Sequence, residues 1–70
     1  MQYHAVFFVN NGLAPFIGQD GAEAALIEAA DRAGLSNFSF GPLRHRSRRL
    51  VLRDAADNLV AVVQPLRRPF

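Results

Sequence analysis

The chain has 70 residues, half of them apolar and a fifth charged, with eight basic side chains against six acidic ones, a net charge of +2, and no cysteine or tryptophan. That composition excludes a disordered tail and a disulfide-stapled secreted mini-protein. No apolar run approaches the ~18 residues of a membrane helix, no signal peptide opens the chain, and a single small domain leaves little room for a deep substrate pocket.

The first predicted element is a strand over residues 3–9, Tyr-His-Ala-Val-Phe-Phe-Val. Alternation puts Ala5, Phe7 and Val9 on one face and Val6 and Phe8 on the other. Both faces are apolar, as in a central strand covered on two sides. Asn10-Asn11-Gly12 ends it, because these residues tolerate positive φ. A loop is expected to about residue 19, with Leu13, Phe16 and Ile17 among its turn residues.

The next element is a helix with Asp20 as N-cap and Glu23 three residues on. Ala22, Ala25, Leu26, Ala29, Ala30 and Ala33 recur on one helical face, Glu28 and Arg32 form an i,i+4 pair, and Gly34 is placed as a left-handed cap with Leu35 behind it. An alanine face allows close approach to a sheet but fills little volume.

Three further strands are expected. Residues 37–41 place Phe38 and Phe40 on one face, and Gly41-Pro42 ends or bulges the strand. Residues 43–47 either continue it or form a basic loop. Arg48 to Arg53 is a strand, Ala55 to Asn58 a four-residue hairpin loop, and Leu59 to Gln64 a strand that Pro65 stops. A tail, 65–70, follows. The fold class is therefore α+β: a small antiparallel or mixed sheet of three to four strands with one helix on one face, in the order β-α-β-(β)-β.

One helix shelters one face of a sheet. Val6, Phe8, Val60 and Val62 are expected on the other face, as an oligomer interface or partner surface larger than soluble monomers usually leave wet. The competing expectation is that the loop at 11–19 and the tail fold back and cover it with Leu13, Phe16, Ile17, Leu66 and Phe70.

No catalytic constellation is present. His45 stands two residues from Ser47 with no acid nearby in sequence, and His4 reads as a polar residue at a strand start. The acids at 20, 23, 28 and 31 read as cap and solvated helix face, not as an acid/base pair. Metal-ligand spacing is absent. The expectation is no enzyme activity, no cofactor, no metal and no small-molecule substrate.

Charge is divided unevenly. Residues 1–41 carry four acids and one arginine, whereas residues 42–70 carry seven arginines and two acids. Arg44, Arg46, Arg48, Arg49 and Arg53 form the densest cluster; if extended, alternate members project roughly 6.6–7 Å apart. Three readings compete. The cluster guards a sheet edge against aggregation, docks on an acidic protein surface through bidentate contacts, or binds DNA or RNA phosphates. No aromatic is interleaved for base stacking. Phe16 is a further candidate anchor for a partner. The leading expectation is a non-catalytic protein-interaction module: a small regulator or inhibitor of a larger protein or nucleoprotein complex, of the kind phages and mobile elements encode. Homodimerisation and direct nucleic-acid binding are the alternatives. A cysteine-free chain fits a reducing, cytoplasmic setting.

Overall fold

The computed structural model describes residues 3–42 and 49–66. Within them lie β1 (His4–Phe8), β2 (Phe16–Gly18), α1 (Ala22–Arg32), β3 (Phe38–Pro42), β4 (Leu50–Asp54) and β5 (Leu59–Pro65). The strands form one five-stranded sheet in the order β2-β1-β5-β4-β3, with every neighbouring pair antiparallel. The molecule is α+β with a helix on one face, as the sequence predicts, but it has five strands and begins β-β-α. The extra strand is β2, in the segment expected to be a loop. Phe16 and Ile17 are strand formers, and three residues suffice at an edge bounded by Pro15. Helix α1 leaves β2 at one edge and returns the chain to β3 at the other.

Cross-strand partners share a face, so the register defines two sides. Phe16, Val6, Val63, Leu50 and Pro42 form one row beneath the helix, and Phe8, Ala61, Leu52 and Phe40 form the next. Val6, Leu26, Leu52, Ala61 and Val63 are fully buried there. The helix faces them with Ala25, Leu26, Ala29 and Ala30. Because three of those four are alanines, the sheet must supply the volume that close packing demands. That requirement places the bulkier rows on the helix side, and Gly18 permits the approach: a Cβ there would stand 3.0 Å from the Ala25 Cβ.

The helix N-terminus differs from the expected cap. Gly21, at φ 103°, is the N-cap, and no side chain caps the helix. The glycine turn moves the start one residue past Asp20, while Glu23 keeps its favourable place in the first turn. The C-terminus follows expectation. Gly34 has φ 72°, its N–H donates to the Asp31 carbonyl at 3.1 Å, and the Leu35 N–H donates to the Ala30 carbonyl at 2.9 Å. These bonds make a Schellman cap with Leu35 packed on the core.

The β4–β5 connection runs over Ala55 to Asn58, the four residues expected, and it turns tightly. The Asp57 N–H donates to the Asp54 carbonyl at 2.9 Å, Asp57 sits at φ 67°, and the Asp54 N–H donates to the Asn58 carbonyl at 3.0 Å. Three residues thus close the turn, with the third left-handed. Asp54 Oδ1 braces it, accepting from the N–H groups of Ala56 and Asn58 at 3.0 and 2.9 Å.

Candidate interaction surface

The side away from the helix carries Ala5 and Phe7 of β1, Ile17 of β2 and Val62 of β5, as the register requires. It is unevenly covered. Val51, paired with Val62 and Gly41, is fully buried. Toward β1 and β2 the face is open: Tyr3, Phe7, Ile17 and Leu66 are 36, 48, 60 and 38 % exposed. Leu66 is held there because its N–H donates to the Tyr3 carbonyl at 2.9 Å. Between these side chains runs a groove of about 310 Å³, lined among the described residues by Ala5, Phe7, Pro15, Phe16, Ile17 and Leu66. None of the six carries a charge.

This placement corrects the expected interface. Val6 and Val60 are buried beneath the helix, and Phe8 packs against the same core. Of the four residues expected on the open side, Val62 lies there, half-buried. Two causes act. In β1 the alternation of apolar residues fixes which residues share a face, not which face meets the helix. In β5 the register shifts between Leu52 and Arg53. This bulge inserts an extra residue and lets Val60 and Ala61 both enter the core. Nor does the 11–19 segment fold across the open face; its second half extends the sheet as β2.

Phe16 points to the helix side and is half-buried. Its ring lies 5.9 Å from that of Phe8, and the Arg32 guanidinium sits 4.0 Å above its centroid. Arg32 is itself held by Glu28, donating from Nη2 to Oε2 at 2.6 Å. The ring's partners are therefore mostly internal, and the exposed anchor of β2 is its neighbour Ile17. The signal for Ile17 and Phe7 was present in the strand alternation, once Phe16 is read as core.

Of the arginine cluster, Arg44, Arg46 and Arg48 lie outside the described residues, as do His45 and Phe70. Arg49 is exposed beside β4. Arg53 is half-buried in β4 opposite Ser39, with Nε 3.9 Å from Asp57 Oδ1. The separation and the exposure of Asp57 make this a weak ion pair.

A second concavity, about 550 Å³, lies beside the helix C-terminus and is lined by residues including Asn10, Asn11, Leu35, Asp54 and Asn58. Its polar side chains hold turns together. Asn11 Oδ1 accepts from the Leu13 N–H at 3.1 Å, its Nδ2 donates to the Val60 carbonyl at 3.4 Å, and Asp54 braces the β4–β5 turn. His4 is buried, with Nδ1 lacking a hydrogen-bonding partner among the described residues. No cluster of three potential metal ligands occurs among the described residues, and no described helix is long and apolar enough to cross a membrane.

No protein-family model matches the chain, and comparison with curated proteins and with solved structures finds no significant match.

Proposed function

We propose that the chain is a non-catalytic protein-interaction module, a small regulator or inhibitor acting on a larger protein or nucleoprotein complex. The observation that supports this reading is the open sheet face around Phe7 and Ile17. Phe7, Ile17 and Leu66, all partly exposed, line a groove whose described residues carry no charge, with Tyr3 next to Leu66, and contiguous apolar surface of this kind marks interaction sites. The arginine-rich stretch of the sequence is a second, chemically different candidate for contact. Arg44, Arg46, Arg48, Arg49 and Arg53 match an acidic protein surface through forked, bidentate donors.

The test is affinity capture from the native host with the wild type, with Ile17→Lys, and with the quadruple alanine variant of Arg44, Arg46, Arg48 and Arg49. The expected result is a specific protein that is retained by the wild type, lost with the arginine variant and weakened with Ile17→Lys. Equal capture by all three proteins, or none by the wild type, would remove the reading. Recovery of nucleic acid in place of protein would move the arginine cluster to phosphate binding.

A further inference from the structure

We infer that the open β1–β2 face is a homodimer interface, occupied by a second copy of this chain. This inference rests on the reading of that face as a contact surface, and it leaves the arginine-rich segment for a different partner.

The shape of the face suits a second copy. A two-fold interface uses the same patch on both copies, so the patch must be complementary to itself. Phe7 and Ile17 project from this face, 48 and 60 % exposed. Ala5, two residues from Phe7 and directly opposite Ile17, is a small, buried residue at the base of the groove. Projection and recess therefore stand side by side, and each copy offers a ring to the recess of the other.

Charge favours the same contact. The chain carries +2, so two copies repel each other wherever their arginines meet. The described residues that line the groove are uncharged, so their own contact across a two-fold pairs no like charges. A hydrophobic contact is available without a polar partner to match.

The exposed area is of the size a weak dimer needs. At roughly 200 Å² for a large side chain, Tyr3, Phe7, Ile17 and Leu66 expose about 360 Å² per copy at their observed fractions. Two copies offer about 700 Å² of apolar surface for burial. At the ~65 % apolar content of homodimer interfaces, the whole contact reaches about 1,100 Å², the lower limit for a specific interface. A contact at that lower limit is weak and reversible.

The experiment is sedimentation equilibrium of the purified full chain from about 1 µM to about 1 mM, with three variants whose fold is checked by circular dichroism. Ile17→Lys places like charges across the two-fold. Phe7→Thr removes the projecting ring while keeping a strand former. Ala5→Leu fills the recess and adds apolar surface. The wild type is expected to double its mass across this range, and each variant to associate at least about tenfold more weakly. Ala5→Leu separates a shaped interface from general stickiness, which that substitution would leave intact or increase. A wild type that stays monomeric to the highest concentration overturns the inference, as does a dimer unchanged in both Ile17→Lys and Ala5→Leu. A monomer whose captured host protein is lost with the arginine variant retains the interaction module and removes the second copy. A dimer that captures nothing retains the second copy and removes the regulatory reading.

Discussion

Leu26 and Ile27 are adjacent in one helix and nearly equal in size, yet their environments are opposite: Leu26 is fully buried and Ile27 is 53 % exposed. Replacing each by alanine therefore isolates burial. Leu26 is the one large side chain on the buried face of α1, flanked by Ala25, Ala29 and Ala30. Methyl groups cannot swing into the space it would leave, so relaxation is limited. Leu26→Ala should cost about 3–4 kcal/mol, the middle of the range for fully buried leucines that leave a cavity. Ile27→Ala loses partial burial but gains about 0.4 kcal/mol of helix propensity, so it should change stability by less than about 1 kcal/mol. For a domain of this size about 1 kcal/mol moves Tm by about 4–8 °C, so the first variant should melt at least about 12 °C lower and the second within a few degrees. Circular dichroism melts and urea titrations at low protein concentration, where dimer linkage is small, give both values. Equal losses from the two variants would refute the packing described here.

The remaining predictions concern backbone geometry and partner chemistry. Gly18→Ala places a methyl 3.0 Å from the Ala25 Cβ and should cost about 1 kcal/mol through overpacking. Gly34→Ala, at φ 72°, should lose about 1 kcal/mol for a different reason, the left-handed cap. Urea midpoints report both, and an unchanged midpoint would contradict the corresponding contact. Asp54→Ala removes the acceptor for two turn N–H groups and should cost about 1 kcal/mol, with hydrogen exchange accelerating at Ala56 and Asn58; unaltered exchange there would count against the turn. Purified protein should show no steep salt-dependent retention on random duplex DNA. A log–log slope near −4.5, the signature of five phosphate contacts, would instead favour nucleic acid as the ligand of the arginines.

Much of the fold was legible because its signals are local. The alanine repeat, the Glu28–Arg32 pair and the Gly34-Leu35 terminus specify α1, and the paired Phe38 and Phe40 specify β3, whose rings lie 5.6 Å apart. Parts decided by non-local packing were not. Three residues at an edge are too few to show a period, so β2 read as loop. The apolar alternation of β1 carries parity without direction, and only the demand of an alanine helix for bulky partners assigns Val6 and Phe8 to the core. The bulge in β5 breaks the alternation that placed Val60 beside Val62. The idea of an uncovered apolar face followed from counting one helix against two greasy sides, but its members changed: Phe7, Ile17, Tyr3 and Leu66 in place of Val6, Phe8 and Val60.

The β1–β2 part of the sheet, opposite the helix, is proposed as the place where one copy of this molecule meets a second. Methyl chemical shifts in a dilution series test it residue by residue. The methyls of Ala5, Ile17 and Leu66 should shift together with concentration, while those of Leu26, Leu52 and Val63, sealed beneath the helix, stay fixed. Shifts at Ala5, Ile17 and Leu66 that are independent of concentration, or movement confined to the other side of the sheet, would contradict it.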